Sequence, residues 1–156
     1  MSTDYCDTPA EAAQNPDAKG WISFIANGDE YAANFMWDFW CFTHLYDDLV
    51  DRDKAVDGGV AARELVKFIA QLSFNPFYQK HKDQLFPLIV QAVNRWLDGD
   101  EWERSGDPKK VAAAAVIRCG DIEIYAHCAF LIGGWAHMRA AKGLRSYDSN
   151  SVSEVM

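Results

Sequence analysis

The sequence predicts an all-α domain, organised as a single helical bundle of four or five main helices. Apolar residues recur at three- and four-residue steps over long stretches, and no stretch alternates apolar and polar residues as a strand does. With 156 residues and a 49% hydrophobic fraction, the chain has enough material for a core without disulfides. We expect one domain over residues 20–142, with a loose leader over residues 1–19 and a mobile tail over residues 143–156.

Two helices are predicted in the first half of the chain. The first starts at Asp29 and runs to about Asp53 without glycine or proline. The second covers residues 60–72, between Gly58-Gly59 and Asn75-Pro76. The apolar stripe of the first helix comprises Ala32, Phe35, Phe39, Phe42, Tyr46 and Leu49, and the core-facing side of the second comprises Leu65, Phe68, Ile69 and Leu72.

Two more helices are predicted in the second half. One covers residues 77–102, with a start, kink or break expected near Pro87. The other begins at Pro108, after Asp107 as N-cap, and runs to about Ala141. Long parts of this last helix are apolar on all sides, which is typical of a helix at the centre of a bundle.

Composition excludes some classes of partner. The net charge of −8 argues against binding to nucleic-acid backbones or anionic membranes, both of which attract basic surfaces. No apolar run approaches the roughly 20 residues of a membrane span. The four cysteines form no Cys-x-x-Cys pair, and residues 1–17 are polar rather than leader-like, so we expect reduced thiols in a cytoplasmic protein. The aromatic fraction of 13% leaves room for a homo-oligomer.

The pattern with the clearest chemical meaning lies at the end of the first long helix. Trp40, His44, Asp47, Asp48 and Asp51 follow three- and four-residue steps and share one broad face. The three carboxylates repel one another, and the negative end of the helix dipole adds to that cost. They indicate a bound cation, and carboxylate oxygens suit Mg²⁺ or Mn²⁺. The alternative interpretation is a solvated helix end.

A second acidic stripe lies on the third predicted helix. Asn94, Asp98 and Glu101 are four and three residues apart, so they share a face if the helix continues through Gly99. They are candidates for a second metal site, or for a solvated turn. Arg118 is a candidate phosphate ligand, alongside Trp40 and His44 as substrate-binding residues. The alternatives are an ion pair between Arg118 and Asp121, and a core position for Trp40.

The segment from Thr43 to Asp53 resembles the first aspartate-rich motif of class I isoprenyl diphosphate and terpene synthases. In this sequence the Asp-Asp-x-x-Asp pattern is formed by Asp47, Asp48 and Asp51. The resemblance implies that these residues bind Mg²⁺, which grips a substrate diphosphate. It covers only residues 43–53, and the second metal motif of that family is approximated but not matched by Asn94, Asp98 and Glu101.

Two functional hypotheses follow. The first is a divalent-metal-dependent enzyme acting on a diphosphate-containing small molecule, either isoprenoid-like or a nucleotide. All-α nucleotide pyrophosphohydrolases fit the second substrate, although the chain lacks a Glu-x-x-Glu helix. The second hypothesis is a non-catalytic helical interaction or assembly protein, in which the acidic helix end only contacts solvent.

Overall fold

Every regular element in the described part of the chain is helical, which confirms the all-α prediction. The computed structural model describes residues 18–51 and 55–148, except for the side chains of Asp51 and residues 146–148. Six helices in these ranges have nine residues or more, against the four or five predicted. The elements are α1 (Ala18–Ala26), α2 (Glu30–Asp51), α3 (Gly58–Phe74), α4 (Pro76–Glu103), α5 (Pro108–Arg118), a 3₁₀ turn (Cys119–Asp121), α6 (Ile122–Ala140) and α7 (Gly143–Asp148).

Helix α1 was not predicted from the sequence. It buries Ala18, Ile22, Ile25 and Ala26, whose spacing is that of one helix face. The helix ends at Asn27 and Gly28, which both have positive φ angles, 48° and 91°. Because this turn is only two residues long, the sequence pattern presents it as the start of α2. The pattern therefore does not predict the nine-residue helix that precedes the turn.

The single helix predicted over residues 108–141 is not continuous, so that prediction is wrong. Within α6, Gly134 has non-helical angles, φ 76° and ψ −167°, and marks a kink. A 3₁₀ turn, Cys119–Asp121, separates α5 from α6. A Cβ added to Gly120 in this turn would lie 3.2 Å from the Cα of Ala92 in α4. The backbone therefore approaches α4 more closely than a side chain permits, and the chain changes direction there.

Helix α4 runs without interruption through Pro87, so the predicted start or break there is wrong. Proline removes one backbone hydrogen bond from a helix interior. Both Pro87 and Asp83, whose carbonyl loses its partner, are exposed. The lost hydrogen bond thus lies on the solvent side, where water can satisfy the carbonyl.

The chain divides into two compact units, Met1–His81 and Lys82–Met156. The first unit contains α1 to α3 and the start of α4, and the second contains the rest. The predicted tail begins with the short helix α7, in which Leu144 is buried. The predicted boundaries at residues 19 and 142 stay predictions, and the expected loose segment over residues 1–17 lies outside the described residues.

The described cysteines Cys41, Cys119 and Cys128 are free thiols, as predicted, and Cys6 lies outside the described part. Burial raises the pKa of the Cys128 thiol far above its usual range. This thiol therefore stays protonated and is a core group, not a nucleophile. None of the described helices is both long enough and apolar enough to cross a bilayer.

An aromatic ladder runs along α2 and holds it against α3. Its rings are spaced one turn apart, with centroid separations of 6.3 Å for Phe35–Phe39, 6.4 Å for Phe39–Phe42 and 6.2 Å for Phe42–Tyr46. Phe68 of α3 stacks on Phe42 at 4.3 Å. Phe35 and Phe39 are buried, as the apolar stripe predicts. The ladder sets the position and rotation of α2 along its whole length.

The orientation predicted for α3 is wrong in part. Phe68 is buried, but Leu65 and Ile69, which were expected in the core, are 41% and 60% exposed. The side of α3 that faces α2 instead carries Glu64, which is 2% exposed, and Gln71. The apolar pattern alone identifies a stripe but not which way it faces, and here the buried face is largely polar.

A polar seam therefore connects α2 and α3. The Lys67 ammonium lies 3.8 Å from Asp38 Oδ1 and 3.6 Å from Glu64 Oε2. Arg63 Nε donates to Glu64 Oε1 at 3.4 Å, and Gln71 Nε2 donates to Asp38 Oδ2 at 2.6 Å. The two carboxylates are thus balanced by two cations, which is the condition for burying charge without a large penalty.

Asn75 joins α3 to α4 without a loop. Its side-chain Nδ2 donates to Gln71 Oε1 at 2.7 Å and to the carbonyl of Tyr31 at 2.9 Å. Its Oδ1 accepts from the backbone N–H of Tyr78 at 3.1 Å, which caps the start of α4. One buried amide side chain therefore fixes three segments: the end of α3, the start of α4 and the first turn of α2.

We predict that Asn75→Ala destabilises the fold by about 1–3 kcal/mol, because it removes an N-cap and the hydrogen bonds from Asn75 to Gln71 and to the Tyr31 carbonyl. The control is Asn34→Ala at an exposed position of α2, where a change within about 0.5 kcal/mol is expected. Chemical denaturation monitored by circular dichroism measures both. Equal effects at the two positions would contradict the role given to Asn75.

The polar seam also predicts a pH dependence. Burial raises the pKa of Asp38 above its ordinary value of 3.8, the hydrogen bond from Gln71 lowers it, and the Glu64 carboxylate raises it further. The folded state thus binds this proton more tightly than the unfolded chain, so stability falls as pH rises from 3.8 through the raised pKa.

Asn cannot ionise, so the stability of Asp38→Asn does not fall through this ionisation. As pH rises from 3.8 through the raised pKa of Asp38, we expect the wild type to become less stable relative to the variant. Above that range, the difference in free energy of unfolding should stay constant. Urea denaturation of both proteins at a series of pH values measures the difference. A difference that does not change with pH would show that Asp38 ionises in the fold as it does in water.

Candidate metal site

The acidic residues lie in the last two turns of α2. Asp47 and Asp48 are both half-buried, and the Oδ2 atom of Asp48 is buried. Asp51 is the last residue of the helix, and its side chain lies outside the described part. The sequence prediction thus placed the carboxylates at the helix end correctly.

Two side chains donate to a single backbone carbonyl just before the acidic residues. His44 Nδ1 lies 2.9 Å from the Trp40 carbonyl oxygen, and Thr43 Oγ1 donates to the same oxygen at 2.8 Å. Because a carbonyl only accepts, His44 carries its proton on Nδ1, and in the neutral ring Nε2 is the basic nitrogen. In this tautomer the lone pair that can bind a metal or accept a proton is on Nε2.

Trp40 lies beneath His44 and is part of the core. It is 5% exposed, and its ring centroid lies 4.8 Å from that of the His44 imidazole. A substrate cannot reach much of such a ring. The contact agrees with the core interpretation of Trp40, and its direct effect is to fix the imidazole one turn from Asp47 and Asp48.

The helix dipole opposes the acidic residues at this end of α2. The last turn of α2 contains no basic residue, and its carboxylates lie where the helix dipole is negative. Each such placement costs a few tenths to about 1 kcal/mol at an exposed helix end, and more where water is partly excluded. A bound cation would reverse the sign of this contribution.

The second predicted cluster lies on α4, which continues through Gly99 to Glu103. Asn94, Asp98 and Glu101 therefore share one helix face, as predicted, and all three are exposed. This cluster belongs to the second unit and the α2 cluster belongs to the first. Its side chains form an acidic stripe in contact with solvent.

Arg118 has an ion-pair role at the end of α5. Its Nη2 lies 2.5 Å from Glu103 Oε2 and 3.7 Å from Asp100 Oδ1, and its guanidinium carbon lies 5.0 Å from the Trp96 ring centroid. The side chain is 17% exposed. Arg118 thus pairs with Glu103 and Asp100, and the predicted ion pair with Asp121 stays a prediction.

The described residues contain no group of three or more His, Cys, Asp or Glu side chains arranged to hold a metal ion. Asp47, Asp48 and His44 are near each other along α2, but they do not form a closed protein cage. Mg²⁺ seldom uses such a cage: it keeps several waters and is commonly held by one or two carboxylates together with substrate phosphates. The donor set at the end of α2 fits that mode of binding.

The sequence reasoning missed the buried charges of the α2–α3 seam, Asp38 and Glu64. A signal was present, because Glu64, Lys67, Gln71 and Asn75 are spaced by three and four residues and share a polar helix face. The apolar pattern instead predicts Leu65, Phe68, Ile69 and Leu72 as the core-facing side of this helix. These carboxylates are engaged by Lys67, Arg63 and Gln71, which marks them as structural.

We predict that Gly99→Ala destabilises the fold by about 1–3 kcal/mol through overpacking, although alanine is the better helix former. A Cβ at this position would lie 2.6 Å from Arg118 Cγ and 3.1 Å from the carbonyl oxygen of Ala114. The matched control is Gly20→Ala in α1, where no atom lies within 4 Å and a gain of about 0.5–1 kcal/mol is expected. Thermal denaturation distinguishes the two signs, and a stabilising Gly99→Ala would refute the close packing.

In comparisons with known proteins, no family model matches the chain, and neither a curated protein nor a solved structure matches it.

Proposed function

We propose that this chain is a divalent-metal-dependent enzyme acting on a diphosphate-containing small molecule, with Mg²⁺ or Mn²⁺ held at the end of α2. One observation carries the proposal: Asp47 and Asp48 are half-buried in the last turns of a helix that has no basic residue in its final turn. A bound divalent cation would offset both the mutual repulsion of these carboxylates and the opposing helix dipole.

The ion would be shared between protein and substrate. Asp47 and Asp48 supply carboxylate oxygens, with Asp51 as the third candidate one turn later. Waters and the diphosphate would supply the remaining ligands of such an ion. A divalent metal held there would supply the positive charge that stabilises a departing phosphate, or that lowers the pKa of a water for attack on it.

The tautomer of His44 determines which of its ring nitrogens can act on the substrate. With Nδ1–H donated to the Trp40 carbonyl, the basic Nε2 is the atom that can accept a proton or contact a phosphate. In this proposal Trp40 acts through His44, because the indole ring is buried beneath the imidazole. Asn94, Asp98 and Glu101 stay predictions for a second metal site, and Arg118 stays a prediction for phosphate contact.

The two substrate classes differ in their products. An isoprenoid-like substrate yields pyrophosphate and a hydrocarbon or prenyl chain, whereas a nucleotide yields pyrophosphate and a nucleoside monophosphate. The Asp-Asp-x-x-Asp pattern favours the isoprenoid class, and the absence of a Glu-x-x-Glu helix from the sequence argues against the nucleotide class. Product analysis by mass spectrometry separates them.

We predict that millimolar Mg²⁺ or Mn²⁺ together with pyrophosphate raises the melting midpoint by several degrees, because ligands that bind only the native state stabilise it. Asp48→Asn should abolish most of this rise, since it removes one charge from the site. Asp83→Asn, at an exposed position of α4, is the matched control and should respond as the wild type does. Differential scanning fluorimetry measures all three proteins.

The same experiment separates this proposal from the alternative of a non-catalytic helical interaction protein. That alternative predicts identical melting of the wild type and Asp48→Asn with and without metal and pyrophosphate. Such a result would remove the basis for an enzyme at this helix end.

A further inference from the structure

The outer face of α3 is an apolar surface on a helix whose inner face is polar. Val66 is 66% exposed, Ile69 60% and Phe74 81%. On the opposite side, Glu64 is buried against α2. A helix normally turns its apolar stripe toward its own core and its charges toward water. The reversed arrangement in α3 indicates that its outer face is covered by something other than the rest of this unit.

The outer face of α3, defined by Ala62, Leu65, Val66, Ile69, Ala70, Ser73 and Phe74, has no charged residue. The charged residues of the helix are two cations, Arg63 and Lys67, and one carboxylate, Glu64, and all three take part in the seam with α2. The whole chain has a net charge of −8. Two copies therefore repel each other over most of their surface, but they can meet at this face without bringing carboxylates together.

The two ends of α3 also differ in the size of their side chains. It begins with Gly58 and Gly59 and ends with Phe74. No atom lies within 4 Å of a Cβ built on Gly58, so that end has open space. In an antiparallel pair, the bulky end of one helix lies over the small end of the other, and the helix dipoles also oppose favourably.

From the exposure of this face, its lack of charge and the different bulk of its two ends, we propose that two copies of this chain pair through α3. The two helices are antiparallel about a two-fold axis at Val66. Val66 is the middle residue of the 17-residue helix. An interface of this kind is self-complementary, since each patch meets its own copy. The pairing requires no metal and is independent of the site at the end of α2.

The area of this face limits how tightly two copies can associate. A 17-residue helix is about 25 Å long, and one face of it offers a few hundred Å². A standard stable interface buries about 800 Å² on each partner. We therefore expect a reversible dimer that forms with rising concentration in the micromolar range, and not a permanent one.

Sedimentation velocity of the full chain, without metal and over roughly 1–200 µM, tests the proposal in the concentration range where an interface of this size dissociates. The sedimentation coefficient should rise from monomer toward dimer. Val66→Glu should weaken the dimer at least ten-fold, because it places two carboxylates at the axis. Val116→Glu on α5 is the control, since Val116 is equally exposed, at 64%, and it should behave as the wild type does.

A wild type that stays monomeric over this range would overturn the proposal, as would Val116→Glu weakening the dimer as much as Val66→Glu does. Far-UV circular dichroism confirms that each variant is folded, so loss of the dimer is not mistaken for unfolding.

Disulfide trapping with diamide as oxidant tests the antiparallel register. Val66→Cys should link two copies readily, because both residues lie at the axis. Ser73→Cys should not, because the two residues are 14 positions apart along the paired helices, about 21 Å. Equal trapping of Ser73→Cys would mean that the helices run parallel, and an unlinked Val66→Cys would exclude the axis proposed here.

Discussion

The ion pairs among Asp38, Lys67 and Glu64 determine how the first unit is assembled. They fix which side of α3 faces α2, because carboxylates with so little exposure must meet their cations there. With this orientation of α3, the side chains of Leu65 and Ile69 lie on the solvent-exposed side of the helix. Apolar burial alone would favour the opposite rotation, so the polar contacts decide the orientation, while Phe68 supplies the apolar contact between the helices.

The same packing explains how the acidic helix end is presented. The rings from Phe35 to Tyr46 hold α2 straight against its neighbour, and the carboxylates at the end of the ladder take their direction from it. His44 is fixed in turn by the Trp40 carbonyl and the Trp40 ring. The candidate ligands are thus on a rigid element, which is the arrangement that a catalytic or binding constellation needs.

The helical class, α2 to α4 and the position of the acidic end followed from spacing and turn residues, because these are local properties of the sequence. The rotation of α3, the break at Gly120 and the partners of Arg118 did not. Each depends on a contact between residues far apart in the chain, such as Asp38 with Gln71 or Gly120 with Ala92. A hydrophobic pattern shows which residues share the apolar face of a helix, but buried charges can decide whether that face lies toward the core or toward solvent.

The amide side chain of Asn75 has a consequence for how the chain can vary. Because Asn75 is both the C-cap of α3 and the cap of α4, neither helix can gain or lose a residue at this junction without breaking contacts in both. Length changes between homologous chains should therefore be excluded here. They should accumulate instead in the connection between α2 and α3, where Asp57 caps only the helix that follows it.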